Sequence, residues 1–270
     1  MHDTWNRLCL LCIRPLLRFY AVLTTGRGTV GPVYGGAKFV RDGSTMSLTL
    51  AANPRTYDDA LRMLEHLLSP NDDVIDVGAN IGIYACSIAK MIGPNGRVWA
   101  IEATPSTYLA LQKNITLNNS GRIISFNAAL SNQWGTTSIA TNKSDDSQNC
   151  IADGSGGTDN VVPLAPLDEI LCLPPRIGLL KIDVEGAEYL VLSGAPVTLA
   201  RTHKVLVEIY EPNLRKFGSS STQVLEHLLS AGFQLFVWLN DSLVPLPEKQ
   251  EFSVCTDVIC IRQNARRLDH

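Results

Sequence analysis

The sequence predicts an α/β fold in which a mostly parallel sheet carries helices on both faces and ends in an antiparallel hairpin. From about residue 56 onward, short apolar runs rich in β-branched residues alternate with segments whose apolar residues recur at helical spacing. Alternation of this kind is typical of βαβ units. Near the C-terminus two strand-like runs follow each other without a helical segment between them, and such strands pair antiparallel.

The elements follow from this pattern in chain order. Strands are predicted at 74–77, 97–101, 123–127, 178–182, 204–209, 233–239 and 254–261. Helices are predicted at 57–68, 83–92, 105–117, 187–199 and 222–230. Pro105 suits the first turn of its helix. Between the third and fourth strands, residues 131–173 form a long excursion, in which we expect a small hairpin of 136–141 against 161–164 and a functional loop at 142–160.

Composition excludes several classes of protein. Of the 270 residues, 45% are hydrophobic and 18% are charged, which is typical of a globular chain and not of a disordered one. The 23 basic and 26 acidic residues give a net charge of −3, so we expect no nucleic-acid partner. We expect one domain at 56–265, preceded by an N-terminal extension at 1–55.

The N-terminal extension and the cysteines bear on the compartment. Seven scattered cysteines suggest reduced thiols and a cytoplasmic location. Cys9 and Cys12 lack a second ligand pair at zinc spacing, so we interpret them as small apolar residues. Arg14 and Arg18 interrupt an apolar stretch, which argues against a membrane span. We predict a helical extension that acts as a lid, a homodimer contact or a membrane-surface contact.

A glycine turn after the first predicted strand indicates a cofactor site. Asp76-Val-Gly-Ala-Asn-Ile-Gly82 leads into a helix, where Gly78 and Gly82 permit a sharp turn and backbone N–H groups face a crevice. Glu102, at the end of the second strand, can accept hydrogen bonds from ribose hydroxyls. The pattern is not GxGxxG, because Asn80 replaces the middle glycine, and it is not a P-loop. An ordinary strand-to-helix turn is the alternative.

These motifs together resemble the class I S-adenosylmethionine-dependent methyltransferases, and more narrowly the FkbM family. The matching segments are Asp76 to Gly82, Ile101 to Pro105, Asn127 to Ser131, Val162 to Asp168, Leu180 to Glu188 and Leu192 to Ala195. The resemblance implies a Rossmann-like sheet of seven strands with S-adenosyl-L-methionine as cofactor. It places Asp76 near the methionyl end, Glu102 at the ribose, and Asn127 and Ala128 beside the adenine. The predicted cofactor-binding residues are Asp76, Gly78, Asn80, Gly82, Tyr84, Glu102, Asn127 and Ala128.

Acidic residues at the ends of the fourth and fifth strands are the candidates for chemistry. Asp183 ends the fourth strand, and Glu185 and Glu188 follow it where a helix dipole favours carboxylates, so capping is an alternative role for both glutamates. Glu208 ends the fifth strand and could be a base, a substrate anchor or, with Asp183, a ligand for Mg²⁺ or Ca²⁺. We predict Asp183, Glu185 and Glu208 as catalytic residues, without a required metal.

The resemblance implies O-methylation of a hydroxyl on a small molecule or sugar. A hydroxyl nucleophile needs a base that accepts its proton, and the strand-end carboxylates meet that need. One alternative is a methyltransferase-like binding or scaffold protein without catalysis. Another is an NAD-linked oxidoreductase, which the absence of GxGxxG and of a Tyr-x-x-x-Lys pair disfavours.

Overall fold

A computed structural model of the protein describes residues 28–140, 150–151, 161–170 and 174–263. The Cys9–Cys12 motif and nearly all of the predicted functional loop at 142–160 lie outside the described residues. Within the described ranges, no helix is both long enough and apolar enough to span a membrane. The cytoplasmic location, the homodimer and the membrane-surface contact stay predictions.

The secondary structure follows the predicted alternation. The strands are β1 (Thr29–Val30), β2 (Phe39–Val40), β3 (Val74–Val77), β4 (Val98–Glu102), β5 (Ile123–Asn127), β6 (Ala129–Leu130), β7 (Gly135–Ala140), β8 (Cys150–Ile151), β9 (Val161–Ala165), β10 (Ile177–Ile182), β11 (Thr202–Ile209), β12 (Phe233–Leu239), β13 (Ser242–Pro245) and β14 (Thr256–Arg262). The helices are α1 (Thr45–Ala52), α2 (Asp58–Leu67), α3 (Ile83–Met91), α4 (Pro105–Leu117), α5 (Leu167–Ile170), α6 (Glu188–Ser193), α7 (Pro196–Arg201), α8 (Glu211–Lys216) and α9 (Ser221–Ser230).

The central sheet has the strand order β13-β12-β14-β11-β10-β3-β4-β5. The run from β11 to β5 is parallel, whereas β14 is antiparallel to both β11 and β12. This arrangement confirms the predicted Rossmann-like architecture with its C-terminal antiparallel pair. The sheet also contains β13, a short edge strand that pairs with β12 and was not predicted. The carboxyl ends of β3, β4, β10 and β11 therefore open onto one edge of the sheet.

Both faces of the sheet are covered by helices. Consecutive strand residues alternate between two cores, with Val74 in the first core and Ile75 in the second, as the two-residue period of a strand requires. Helices α1 to α4 bury Leu50, Leu64 and other residues in the first core. The second core takes residues from α6 to α9, including Leu192. Burial on both faces explains why the central strands are continuous apolar runs.

The described part of the N-terminal extension packs against the first core. Of residues 28–55, only α1 is an α-helix, and the rest contains β1, β2 and a 3₁₀ turn at Tyr34–Gly36. Val33 and Phe39 are buried in the same core as the sheet. Asn118, the residue directly after α4, accepts a hydrogen bond from the backbone N–H of Lys38 and donates one to its carbonyl, at 3.0 and 2.7 Å. The domain boundary at residue 55 stays a prediction.

One predicted helix is divided in two. The segment 187–199 forms α6 and α7, separated at Gly194 and Ala195, because Pro196 lacks an N–H and opens a new helix. The backbone carbonyl of Ser131 also lies so close to Gly194 that a Cβ there would overlap it. In the excursion, β7 pairs antiparallel with β9, which confirms the predicted hairpin.

Candidate functional site

The glycine turn between β3 and α3 is held by the neighbouring strand. The backbone N–H groups of Gly78 and Ala79 both donate to the carbonyl oxygen of Ile101, each at 2.9 Å. Gly78 and Gly82 have φ of +79° and +93°, and Asn80 between them has φ of +51°. Such left-handed conformations favour glycine and tolerate asparagine, which explains the residue types in this turn.

Asp76 lies on β3 directly beneath this turn. Its side chain is fully buried, and among the described residues neither carboxylate oxygen has a hydrogen bond of good geometry, although the backbone N–H of Ala85 lies close enough to lower its pKa. The nearest cation is Lys181, whose Nζ lies 3.6 Å from Oδ1 of Asp76. Burial raises the pKa of Asp76, although Lys181 opposes the shift. A buried carboxylate without hydrogen bonds is costly, so Asp76 retains capacity for a ligand.

Glu102 joins the end of β4 to the glycine turn. Its Oε2 accepts a hydrogen bond from the N–H of Asn80 at 2.9 Å, and its Oε1 accepts one from the N–H of Thr104 at 2.7 Å. Burial raises the pKa of Glu102, and these two hydrogen bonds oppose the shift. Each carboxylate oxygen can accept a second hydrogen bond, so the ribose role predicted for Glu102 stays chemically available.

Asn127, at the end of β5, uses its amide within the protein. Its Nδ2 donates to the carbonyl oxygens of Glu102 and Ala103, both at 2.8 Å. Asn127 therefore supports the turn after β4. Ala128, the next residue, is 4% exposed. The adenine contacts of Asn127 and Ala128 stay predictions.

The predicted catalytic acids meet at the ends of β10 and β11. One carboxylate oxygen from each of Asp183, Glu185 and Glu208 lies within 4.8 Å of the others. We call these three residues the acid cluster. Solvent reaches all three side chains in part, so they are not enclosed in the core. We call the region at the carboxyl ends of β3, β4, β10 and β11, where these side chains lie, the crevice. Such a cluster can accept a substrate proton or attract a cation.

The acid cluster touches the glycine turn through the backbone. The N–H of Asp183 donates to the carbonyl oxygen of Val77 at 3.0 Å. A Cβ at Gly78 would overlap the carbonyl oxygen of Asp183. The closeness of these two backbone segments shows that Gly78 is needed for the approach of Asp183 as well as for its own conformation. The predicted cofactor turn and the predicted catalytic acids therefore form one site.

The members of the acid cluster differ in their surroundings. Glu185 has φ of +57° and accepts a hydrogen bond from Nδ2 of Asn213 on α8 at 2.8 Å. Burial and the charges of Asp183, Asp257 and Glu185 raise the pKa of Glu208 to about 9. Asp257 is the strand partner of Glu208 on β14. The side chain of Asp257 is exposed, yet the protein atoms around its carboxyl raise its pKa.

Lys181, on β10, was missed as a functional candidate. Its Nζ lies 3.1 Å from Oδ2 of Asp183 and 4.5 Å from the centre of the Tyr84 ring. Tyr84, predicted to bind the cofactor, packs its ring against this ammonium; a cofactor contact for it stays a prediction. The position two residues before Asp183 was a usable signal, because residues two apart on a strand share a face.

Glu188 has a local structural role. It is 2% exposed, and its Oε1 accepts hydrogen bonds from the N–H groups of Val184 and Gly186, at 3.1 and 3.0 Å. These bonds tie down the segment that carries Glu185, as the capping alternative predicted. Burial raises the pKa of Glu188 to about 7.

Comparison with known proteins identifies the family. The model of the methyltransferase FkbM domain matches residues 76–235, more than half of the chain. Hexuronic acid methyltransferase AglP of Haloferax volcanii is 28% identical over 160 residues, which cover 58% of this chain and 63% of that protein. Methyltransferase 1 of Beauveria bassiana is 29% identical over 148 residues, covering 46% and 59%. The matches thus span less than two thirds of either relative.

Solved structures show similarity at lower sequence identity. An S-adenosylmethionine-dependent O-methyltransferase from Thermotoga maritima is 14% identical, with a TM-score of 0.46, and the match covers 88% of this chain and 78% of that one.

The residues of the crevice fit S-adenosylmethionine. Asp76 has carboxylate oxygens without a hydrogen bond of good geometry, although one lies 3.6 Å from Nζ of Lys181, and Glu102 can accept hydrogen bonds from ribose hydroxyls. The matched region contains both residues, the glycine turn and the acid cluster. S-adenosylmethionine is therefore the cofactor, as predicted. The chain belongs to the methyltransferase FkbM domain family.

Proposed function

We propose that the protein transfers a methyl group from S-adenosylmethionine to a hydroxyl oxygen of a small molecule or sugar. One observation carries the proposal: the acid cluster lies against the glycine turn, so carboxylates stand beside the predicted cofactor site. When bound, the cofactor supplies a methyl carbon already activated by its sulfonium. The chain then has to orient the hydroxyl and accept its proton.

We assign the base to Asp183. Its side chain is 31% exposed in the crevice, and its Oδ2 lies 3.1 Å from Nζ of Lys181, which orients the carboxylate. Glu208 is less suitable, because a pKa of about 9 leaves it mostly protonated at neutral pH. A protonated Glu208 can donate a hydrogen bond to the substrate oxygen and act as an anchor. Glu185 is held by Asn213 and can anchor a second hydroxyl.

In the proposed step the oxygen–carbon bond forms as the carbon–sulfur bond breaks. The bonding electron pair stays on sulfur, which yields S-adenosylhomocysteine, and the hydroxyl proton passes to Asp183. The protein's contribution is alignment, since the backbone contact between Gly78 and Asp183 fixes the base relative to the cofactor turn.

A carbohydrate acceptor is supported by the relative named for a hexuronic acid. Sugar hydroxyls also suit a crevice lined by hydrogen-bond-accepting carboxylates. Because the match is distant and partial, a panel of acceptors is needed, in which neutral sugars, hexuronic acids and small alcohols or phenols are compared with S-adenosylmethionine as the common donor.

The test is methyl transfer from radiolabelled S-adenosylmethionine to that panel. We expect a labelled, methylated acceptor from the wild-type protein and a loss of turnover of about a hundredfold or more in Asp183→Asn, with little change in S-adenosylhomocysteine affinity. Asp241→Asn, an exposed acid on the β12–β13 turn, is the matched control and should keep full turnover. Unchanged turnover in Asp183→Asn would remove Asp183 from the mechanism. Cofactor binding without transfer to any acceptor would favour the scaffold alternative.

The acid cluster also has the composition of a divalent-cation site. We propose that no metal is required, since the ammonium of Lys181, 3.1 Å from Asp183, already places a positive charge beside the cluster. Dialysis against EDTA should therefore leave turnover unchanged. Loss of turnover that Mg²⁺ or Ca²⁺ restores would instead assign the cluster to a cation.

A further inference from the structure

We infer that Lys181 is a positioning residue that orients Asp76 and Asp183, so that one buried ammonium connects the cofactor side of the crevice to the substrate side. For catalysis the inference rests on the proposed function. Its structural part, the ion-pair triad of Asp76, Lys181 and Asp183, does not.

Strand pairing brings the three residues together. β3 and β10 are parallel neighbours, and Lys181 is the register partner of Asp76. Side chains of such partners lie on the same face of the sheet. Asp183 follows Lys181 by two residues and so projects to the same side. The observed distances of Nζ, 3.6 Å to Asp76 and 3.1 Å to Asp183, agree with this placement.

Because Asp76 and Lys181 are buried, each depends on the other for a compensating charge. Lys181 is 4% exposed and Asp76 is fully buried, so each would be a costly isolated charge without the other. Within the described part of the chain, neither carboxylate oxygen of Asp76 has a hydrogen bond that could replace the ammonium. The Tyr84 ring covers Lys181 at 4.5 Å and limits where its ammonium can move.

The other titratable groups around the triad are acidic or neutral. On the side of Asp76 they are Cys86 on α3 and Glu102 on β4. On the side of Lys181 and Asp183 they are Tyr84 on α3, Glu185 and Glu188 after β10, Glu208 on β11, and Cys255 and Asp257 beside or on β14. Lys181 supplies the positive charge that offsets them. Removing a positive charge from a group of acids favours their neutral forms. The acid limb of the pH–rate profile should then move upward.

The experiment compares Lys181→Met, Lys181→Arg and the control Lys204→Met. Lys204 is a partly buried lysine on β11 whose neighbours are Asp72 and Arg176, away from the crevice acids. For Lys181→Met we expect the acid limb of kcat/KM to move up by at least about one pH unit, with kcat falling about tenfold near neutral pH. Lys181→Arg should restore part of the wild-type profile, and Lys204→Met should leave it unchanged. A wild-type acid limb in Lys181→Met would overturn the inference.

A second readout needs no substrate. Urea unfolding of the ligand-free proteins should show that Lys181→Met loses more stability at about pH 8 than at about pH 5. The reason is that, without the ammonium, burial raises the pKa of Asp76 further, so the variant folds with this carboxyl protonated. That protonation costs more the further the pH lies above the unfolded-state pKa of about 4. Adding Asp76→Asn to Lys181→Met should recover part of the loss at the higher pH, because no buried carboxylate is then left without a partner.

Equal losses at both pH values, or no recovery in the double variant, would refute the triad. Lys181→Met alone could be too unstable to fold. The triad then predicts that the double variant, Lys181→Met with Asp76→Asn, does fold. If the wild-type protein transfers no methyl group, the proposed function fails while the unfolding measurements still decide the role of Lys181.

Discussion

Gly78 shows how one residue can serve two parts of the site. The sequence predicts it as the first glycine of a cofactor turn. The structure adds a reason that depends on tertiary contact, because the carbonyl oxygen of Asp183 occupies the space that a Cβ would need. Its φ of +79° adds strain for any other residue.

We therefore expect Gly78→Ala to destabilise the protein by at least about 2 kcal/mol and to weaken S-adenosylhomocysteine binding about tenfold or more. Gly121→Ala is the matched control, since no atom lies within 4 Å of the Cβ position there. Urea unfolding and calorimetric titration measure both effects. A Gly78→Ala protein as stable and as tightly binding as Gly121→Ala would contradict the close approach.

The sequence predicted those site residues that lie at the end of a strand, because the strand end alone determines that they face the crevice. Asp76, Glu102 and Asp183 follow from strand ends and one glycine turn. Asp257 was missed because its importance depends on which strand lies beside it, and register is a tertiary property. The position of Lys181 two residues before Asp183 was a usable signal, but its pairing with Asp76 also depends on register. The internal hydrogen bonds of Asn127 could not be predicted either, because an amide at a strand end can turn towards the backbone or towards a ligand.

The predicted element boundaries were wrong where the sequence contains residues that favour a turn. The division of 187–199 was readable from Gly194-Ala195-Pro196, a sequence that interrupts a helix. The edge strand β13 was also readable, because Asn240 and Asp241 both have positive φ and form a two-residue hairpin turn that these residue types favour. By contrast, helix α4 and strand β5 were predicted with their observed bounds.

Asp168, on α5, caps the start of α7 from a distant part of the sequence. Its carboxylate oxygens accept hydrogen bonds from the N–H groups of Val197 and Thr198, at 2.6 and 2.7 Å. This contact gives Asp168, the acidic residue that ends the Val162–Asp168 motif, a structural role. It joins the end of the excursion to the helices that follow β10.

We expect Asp168→Ala to lower the free energy of unfolding by about 1 to 2 kcal/mol, because two N–H groups lose their acceptor. Asp168→Asn keeps an oxygen of the same reach and should retain most of the stability. Cofactor affinity should be unchanged in both variants, since the carboxylate of Asp168 bonds to the start of α7 and not to the glycine turn. Equal stability of the alanine variant and the wild type in urea would show that the cap contributes nothing.

At the scale of the whole molecule, the net charge of −3 hides an uneven distribution. The carboxylates of Asp76, Glu102, Glu188, Glu208 and Asp257 all have raised pKa values and gather around the crevice. Composition could not predict this, whereas the alternation of elements did predict a parallel sheet whose strand ends meet. An acidic crevice suits a cationic cofactor.

This distribution predicts an unusual dependence of stability on pH. An acid whose folded-state pKa is raised binds more protons in the folded protein, so its contribution is present below the unfolded-state pKa and is lost as pH rises through the folded value. Glu188, with a pKa of about 7, and Glu208, with a pKa of about 9, should therefore make the ligand-free protein less stable at about pH 8 than at about pH 5. His203, whose pKa is lowered, acts in the opposite direction as a single partly exposed group.

Urea unfolding across this range measures the slope. Glu188→Gln should flatten it, because this side chain then no longer titrates. Stability that rises with pH in the wild-type protein would show that the crevice acids are not perturbed as described.

The crevice at the ends of β3 and β4 is where we expect S-adenosylmethionine to bind. Isothermal titration of the ligand-free protein with S-adenosylmethionine, and in a parallel cell with NAD, tests it most directly. We predict a Kd in the micromolar range for S-adenosylmethionine and no measurable heat of binding for NAD. Micromolar binding of NAD without a response to S-adenosylmethionine would show that S-adenosylmethionine is not the ligand of this crevice.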